Sequence, residues 1–227
     1  MKWTFQKGDE RMTTLLEQIK EYKEQFKKKA PAEKQELMKR ATEELRASGT
    51  AQGLKAGEKA PDFTLPDAAG KKVTLSEELK NGPVILTFYR GGWCPYCNLE
   101  LKAYQRELDA INEAGANLIA VSPETPDASL STKEKNELDF LVLSDEGGNA
   151  GKAYDLVFDM PDYLIEVYKD SGLDVAAHNG NDDWRLPKPA TFVIGQNGVI
   201  LFAEVDSDYT KRTDPKKVVS VVQNLNK

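Results

Sequence analysis

Two cysteines three positions apart in a short turn constrain the fold of this chain more than any other feature. Residues 84–89, just before them, form an apolar, β-branched and aromatic run of strand length. Apolar residues recur at helical spacing after the turn, at Leu101, Tyr104, Leu108 and Ile111. Two glycines turn the chain, and Pro95 suits a first helical position. The pattern predicts a strand followed by a helix, with Cys94 at the helix N-terminus and Cys97 about one turn further in.

This position has chemical consequences for both thiols. Free N–H groups and a partial positive charge at a helix N-terminus favour the thiolate. Cysteines on one face of a first turn can also close a disulfide. The pair therefore indicates redox chemistry. A structural zinc site has only His178 as a further ligand, and two inert buried cysteines fit less well because Trp93 and Pro95 flank the pair in a loop.

Composition narrows the class of protein. The chain has 227 residues, 40% of them hydrophobic and 30% charged, and a net charge of -6. This predicts a soluble globular protein and argues against nucleic acid or an anionic membrane as the partner. There is no long apolar run, and residues 1–10 lack the apolar core of a secretory signal. We expect a cytoplasmic location, where paired cysteines are more often catalytic than structural.

Residues 1–50 form a separate helical extension in this interpretation. Apolar residues at helical spacing define its first helix: Leu15, Leu16, Ile19, Tyr22 and Phe26. Thr14 and Glu17 have the form of a capping box, and Pro31 starts a second helix that ends at Gly49. The apolar stripes need a cover, either from the same chain or from a partner subunit. We expect a homodimer through these helices, because the stripes lie outside the predicted core.

The remaining residues, 57–227, alternate strands and helices. A hairpin is predicted over 60–65 and 72–75, and a strand over 117–122 makes the cysteine helix, which continues to about Glu113, part of a βαβ unit. Further short elements are a helix over 129–136, a strand over 140–143 and a helical turn over 149–154. Residues 155–188 allow one helix after Pro161. Three aspartates there lack the regular spacing of a calcium loop, namely Asp174, Asp182 and Asp183.

The end of the chain has clear signals. Strands 190–194 and 199–202 flank an Asn-Gly turn, which predicts a hairpin. Asp214 and Pro215 open a last helix, and its inner face is Val218, Val219, Val222 and Leu225. The resulting order is βαβ, an irregular middle, then ββα. The fold class is α/β.

This order, with C-x-x-C opening the first helix, resembles the thioredoxin fold, a central mixed sheet flanked by helices. It is most similar to the peroxiredoxin branch, the alkyl hydroperoxide reductase and thiol-specific antioxidant (AhpC/TSA) family. Four segments carry the resemblance: Ala60-Pro61-Asp62-Phe63, Phe88-Tyr89, Leu143-Ser144-Asp145 and Ala190-Thr191-Phe192-Val193-Ile194. It covers about 57–227 and looks most like the subgroup with a Gly-Gly-Trp-Cys-Pro-Tyr-Cys signature.

The resemblance assigns roles to single residues. Cys97 stands at the family's peroxidatic position and Cys94 at its threonine position, while Arg90 occupies a proline position. Glu100 matches a glutamate usual in the family. Pro189 replaces the family's arginine and matches the cis-proline that faces the cysteine pair of thioredoxins.

The missing arginine leaves a need for positive charge, since a peroxidatic thiolate requires donors for the peroxide oxygens. Arg90, Arg185 or Lys188 could substitute, and Arg90 is nearest to the pair in sequence. The predicted site consists of Cys97 and Cys94, supported by Arg90, Trp93, Glu100 and Pro189.

Three functions follow from these features. The first is a peroxidase for hydrogen peroxide or organic hydroperoxides, in which Cys97 is oxidised, Cys94 resolves the sulfenic acid and thioredoxin or a similar dithiol recycles the disulfide. The second is a dithiol–disulfide oxidoreductase in which an exposed Cys94 attacks protein disulfides and Cys97 resolves. The third is an interaction module without catalysis. We expect no cofactor, metal, nucleic acid or membrane in any of them.

Overall fold

The structure is a computed structural model and describes residues 13–226. Residues 1–10, for which the sequence predicts no secretory signal, lie outside this range. In chain order the helices are α1 (Leu15–Lys29), α2 (Ala32–Ser48), α3 (Leu75–Glu78), α4 (Pro95–Arg106), α5 (Leu108–Glu113), α6 (Pro126–Lys135), α7 (Asn149–Ala153), α8 (Asp162–Asp170), α9 (Val175–Asn179) and α10 (Pro215–Gln223). The strands are β1 (Thr64–Pro66), β2 (Lys72–Thr74), β3 (Val84–Phe88), β4 (Asn117–Ser122), β5 (Leu141–Ser144), β6 (Val157–Asp159), β7 (Arg185–Pro187), β8 (Ala190–Ile194) and β9 (Ile200–Val205).

The centre of the molecule is a five-stranded mixed sheet in the order β5-β4-β3-β8-β9. Strand β3 pairs parallel with β4 and antiparallel with β8. The parallel pair confirms the predicted βαβ unit, and the β8–β9 hairpin is also as predicted. Because Phe88 lies opposite Ala190, the turn that follows β3 starts beside the N-terminal end of β8. This register brings the cysteine turn next to Lys188 and Pro189 in space.

Both faces of the sheet are covered, so β3 is buried along its whole length. Ile85 packs with the cysteine helix on one face, whereas Val84 and Leu86 belong to a cluster on the other face. This alternation follows from the two-residue side-chain period of a strand. Each fully buried aliphatic side chain contributes about 1.5–3 kcal/mol.

The N-terminal helix pair packs on the rest of the chain. Leu15 and Ile19 are buried in the same cluster as helix α4, and Tyr22 meets Tyr96 edge to face at 5.1 Å between ring centroids. The predicted capping box of α1 is present. The expectation that the apolar stripes lie outside the core is therefore wrong for α1. Helix α2 packs through Ala41 into a cluster with α8.

Three local predictions are wrong. The helix after the cysteines is two helices, since Glu107 has non-helical angles (φ -98°, ψ 4°) and separates α4 from α5. Residues 155–188 contain a second helix, α9, and the β6–β7 pair, whose strands are too short to show alternation. Leu225 is 42% exposed, because α10 ends before it.

Residues 13–226 lack two features, a cluster of metal ligands and a membrane-spanning helix. No group of three or more potential metal ligands lies together there. None of the helices in this part of the chain is long and apolar enough to cross a membrane.

Candidate active site

The turn between β3 and α4 is held by close contacts. Gly91 has a φ of +144°, and a Cβ added there would clash with the Trp93 ring. The Gly92 N–H donates to Glu124 Oε2 at 2.9 Å, and Asn98 Nδ2 donates to the Gly92 carbonyl at 2.7 Å. These contacts leave little freedom in the loop that presents the cysteines.

The two cysteines lie where the sequence predicts. Cys94 is the N-cap of α4, Pro95 occupies its first turn, and Cys97 lies within that turn. Both are free thiols, and the Cys97 thiol donates a hydrogen bond to the Cys94 sulfur. They are 1% and 0% exposed, respectively. The prediction that Cys94 is exposed is therefore wrong, because the side chains around the turn cover it.

The two thiols have opposite pKa shifts. Burial raises the pKa of Cys94, but the hydrogen bond from Cys97 and the charges of Arg90 and Arg212 outweigh it and lower the pKa to about 6. Burial raises the pKa of Cys97 well above its ordinary value, and its hydrogen bond to Cys94 and the charge there add to this. Since the thiols share a proton, the pair holds about one negative charge at neutral pH.

Arg212 is the cation that sequence reasoning missed. Its Nη2 donates to Cys97 Sγ at 3.3 Å, and its Nε lies 2.7 Å from Glu100 Oε2. Both side chains of this ion pair are almost fully buried, and burial raises the pKa of Glu100 to about 8 against the attraction of Arg212. A buried carboxyl on the cysteine helix that needs a cation partner is the signal that could have pointed to an arginine here.

Arg90 lies beside the pair as a second buried cation. It is 3% exposed, and its Nη2 donates to the Tyr168 hydroxyl at 2.5 Å. The guanidinium carbon lies 5.0 Å from the Trp93 ring centroid and 4.5 Å from that of Tyr209. The backbone N–H of Arg90 also donates to Cys97, which favours its thiolate. Arg90 and Trp93 thus both belong to the surroundings of the cysteines.

The other predicted residues lie further out. Arg185 is an exposed residue paired with Asp159 at 2.8 Å. Lys188 is buried, and its Nζ donates to the Thr50 carbonyl at 2.9 Å. Pro189 lines two cavities beside the site, but the described residues contain no cis peptide bond, so its predicted cis geometry is wrong.

His178 contacts the turn indirectly. It lies in α9, and its Nδ1 is 3.6 Å from Glu124 Oε1. Burial raises the pKa of Glu124 to about 7. The histidine thus faces the carboxyl that holds the Gly92 N–H.

Known proteins share both the sequence pattern and the fold. Residues 56–203 match the AhpC/TSA family. A chloroplastic peroxiredoxin Q of Oryza sativa subsp. japonica is 28% identical over 173 residues, which cover 74% of this chain and 67% of the relative. The peroxiredoxin Bcp of Escherichia coli (strain K12) is 33% identical over 93 residues, 41% of this chain and 59% of the relative.

A solved structure supports the fold. The peroxidoxin BcpB of Mycobacterium tuberculosis superposes with a TM-score of 0.60 at 22% identity and covers 76% of this chain and 98% of its own. This likeness confirms the thioredoxin-like fold. The sequence match over most of the sheet and both cysteines shows that the chain belongs to the AhpC/TSA family and is a thiol peroxidase of the peroxiredoxin kind.

Proposed function

We propose that this chain reduces peroxides with Cys97 as the attacking thiolate and Cys94 as the resolving thiol. The observation that carries the assignment is the contact of Arg212 Nη2 with Cys97 Sγ at 3.3 Å. The guanidinium can stabilise the thiolate before attack and the negative charge on the departing oxygen during it. In this proposal Arg212 supplies the positive charge that is missing where Pro189 replaces the family's arginine.

Attack begins with a proton transfer inside the pair. The resting charge lies mainly on Cys94, whose pKa is about 6, so Cys97 must first pass its proton along the hydrogen bond that joins the two sulfurs. The form with the thiolate on Cys97 is the minor one, and it is held by Arg212 and by the N–H of Arg90. Reaction with peroxide removes this minor form, and the proton transfer between the two sulfurs then replenishes it.

The chemical steps then balance within the pair. The Cys97 thiolate forms an S–O bond with the terminal oxygen of the hydroperoxide, the O–O bond breaks, and the departing alkoxide takes the proton of Cys94. The Cys94 thiolate then attacks the sulfenic acid sulfur, closes the disulfide and releases hydroxide. One peroxide is reduced and two thiols are oxidised.

The disulfide is recycled by an external dithiol in this proposal, thioredoxin or a similar protein. The reductant gives two electrons and is itself oxidised to a disulfide. Because Cys94 is 1% exposed, the turn has to open locally before a protein thiol can reach it.

The decisive assay is peroxide consumption by the purified chain with thioredoxin, its reductase and NADPH. We expect Cys97→Ser to lower the rate at least about a thousandfold, as loss of a nucleophile does. Cys94→Ser should still reduce one equivalent of peroxide but should not turn over with thioredoxin. A wild-type rate no higher than that of free thiol contradicts the proposal.

A second function, exchange with protein disulfides, is favoured by one observation, the lowered pKa of Cys94. A thiolate at a helix N-terminus is the usual attacking group in such exchange. The burial of Cys94 opposes it. If this function holds, Cys97→Ser should trap mixed disulfides through Cys94, and the double variant with Cys94→Ser should trap none.

Two further parts of the proposal concern the state of the protein in the cell. The cytoplasmic location agrees with the bacterial relative from Escherichia coli, whereas the rice relative is named as chloroplastic. A homodimer through α1 is supported by Leu16, which is 53% exposed. Light scattering tests this: Leu16→Glu should halve the mass if α1 forms the interface, and an unchanged mass contradicts it.

A further inference from the structure

Helix α1 of the N-terminal extension packs against the cysteine helix. Leu15 and Ile19 are buried in the cluster that contains both cysteines. About one turn further along, the ring of Tyr22 meets that of Tyr96 on α4 edge to face. Burial and the negative charge of Cys94 both raise the pKa of Tyr22, so the phenol lies close enough to be affected by this sulfur. Side chains of α1 therefore belong to the cover that leaves Cys94 1% exposed.

The same helix also reaches the segment that carries Arg212. Lys23 Nζ donates to the Thr210 hydroxyl at 2.9 Å, and that hydroxyl donates to Asp208 Oδ1. Thr210 lies two positions before Arg212, whose guanidinium donates to Cys97 Sγ. Helix α1 thus contacts both the helix that carries the cysteines and the segment that carries their cation. Because α1 precedes residues 56–203, it is an addition to the part of the chain that matches the AhpC/TSA family.

Helix α1 is packed loosely for an element beside an active site. Two of its fifteen side chains are buried, Leu15 and Ile19. A cavity of about 550 Å³ lies between α1, α2 and the ring of Tyr96, and another of about 270 Å³ lies between α1 and Arg212. Protein interiors have few voids larger than a water molecule, so a helix bordered by two cavities breaks fewer contacts when it moves. Elements with few buried apolar contacts open at a lower free energy than the core.

The turn under this helix is held more firmly. The Gly92 N–H donates to Glu124, and Asn98 Nδ2 donates to the Gly92 and Cys94 carbonyls at 2.7 and 3.1 Å. Asn98 Oδ1 in turn accepts from Asn136 Nδ2 at 2.8 Å, which ties the turn to α6. Local opening of this region therefore begins at α1, where fewer buried contacts have to break.

The two partners of the proposed reaction need different amounts of space. The cavity between α1 and Arg212 has about 270 Å³, several times the share of one water molecule, and Arg212 connects it to Cys97. A small peroxide therefore fits there with α1 in place. A protein dithiol has to bring its own sulfur into bonding contact with Cys94, which the burial of Cys94 prevents.

We propose that α1 is a selective cover of the cysteine pair, which admits small peroxides to Cys97 while closed and lifts when a protein dithiol reduces the disulfide. The inference rests on the proposed peroxidase function and assigns to α1 the choice between its two partners. With α1 lifted, a thiolate of the reductant bonds to the Cys94 sulfur and the bond between Cys94 and Cys97 breaks. The second reductant thiol then displaces Cys94 and passes its proton to the pair.

A matched pair of variants tests the cover. Leu15→Ala removes a buried contact of α1, whereas Leu79→Ala makes the same change in the core on the other face of the sheet. Stopped-flow measurements on the full-length protein give two rate constants, one for oxidation by hydrogen peroxide and one for reduction of the disulfide by thioredoxin. We expect Leu15→Ala to raise the rate constant for reduction about tenfold and to change that for oxidation by less than about twofold.

Leu79→Ala should leave both rate constants unchanged, since it destabilises the core without loosening α1. Three results overturn the inference: no faster reduction in Leu15→Ala, an equal rise of oxidation and reduction in that variant, or an equally fast reduction in Leu79→Ala. The last of these would show that general loss of stability, rather than movement of α1, exposes the disulfide.

A labelling measurement separates this inference from the proposed function, because it needs neither peroxide nor reductant. In a Cys97→Ser background, Cys94 is reacted with a maleimide that carries a long polyethylene glycol chain. Lys23→Ala removes the bond to Thr210 and should raise the labelling rate at least about threefold, whereas Lys20→Ala, at an exposed position of the same helix, should not change it.

Faster labelling in the Lys23→Ala variant alone supports the cover even if the wild-type chain reduces no peroxide. Equal labelling rates in the background protein and both lysine variants overturn the inference. Peroxide consumption by the wild-type chain with thioredoxin would in that case keep the peroxidase function.

Discussion

The two sides of the cysteine pair are built differently. On the Cys94 side, Arg90 is held by aromatic rings and the Tyr168 hydroxyl. On the Cys97 side, Arg212 is fixed by the buried carboxyl of Glu100, 2.7 Å away, and donates directly to sulfur. The cysteine with the lower pKa is thus not the cysteine to which a guanidinium donates directly.

This difference separates two tasks that a single reactive cysteine would have to combine. Cys94 holds the resting negative charge, since its pKa is about 6. Cys97 has the donors that a breaking O–O bond needs. The variants below alter one side at a time, and then the support of the turn.

The largest effect is expected for Arg212→Gln. Removing one donor that stabilises developing charge lowers kcat about 100- to 1,000-fold, and we expect kcat/KM for hydrogen peroxide to fall by about 100-fold. Steady-state peroxide consumption measures this. Because the change leaves Glu100 without its ion pair, the double variant Arg212→Gln, Glu100→Gln is the control for folding. A loss smaller than threefold in both variants would show that Arg212 has no part in the chemistry.

A smaller effect is expected for Arg90→Gln, on the acidity of the pair. In the wild type, thiolate absorbance at 240 nm should rise as the pH increases through about 6, the pKa of Cys94. The peroxidase rate should fall as the pH drops below that value, because both thiols are then protonated. Loss of the nearby positive charge should raise the midpoint by about one pH unit. A wild-type protein without thiolate below pH 8 contradicts the account.

The smallest effect concerns the support of the turn through Glu124. Burial raises its pKa to about 7 in the folded protein, so the folded state binds a proton that the unfolded chain has released. Stability should therefore fall as the pH rises from about 4.5 to 7, and the loss is complete above that range. The loss in unfolding free energy is at most about 3 kcal/mol, since each unit of difference in pKa corresponds to about 1.36 kcal/mol.

Glu124→Gln should remove this pH dependence. An amide oxygen can still accept from the Gly92 N–H, but it does not ionise. We expect the difference in unfolding free energy between pH 5 and pH 8 to shrink by about 2 kcal/mol, measured by urea denaturation. If the unfolding free energy depends on pH in the same way in both proteins, the ionisation of Glu124 does not destabilise the folded state.

Much of the fold was predictable because its signals are local. The cysteine turn, the parallel β3–β4 pair and the β8–β9 hairpin follow from periodicity and turn residues. The β6–β7 pair was missed since three-residue strands show no period. The packing of α1 was also missed, because an apolar stripe does not say which surface covers it.

The site was predictable only in part, for a similar reason. Cys94, Cys97 and Arg90 share one turn, so their proximity follows from sequence distance. Arg212 lies 115 positions after Cys97, before α10, and the surrounding residues have no pattern that marks it. It reaches the sulfur through tertiary packing, to which a single sequence gives no access.

The most direct test of the account is to find which sulfur is oxidised. Cys94→Ser and Cys97→Ser are each treated with one equivalent of hydrogen peroxide and then with dimedone, and the adduct is located by mass spectrometry. We expect a sulfenic acid adduct on Cys97 in the Cys94→Ser variant and almost none on Cys94 in the Cys97→Ser variant. An adduct that forms only where Cys94 is retained would contradict it.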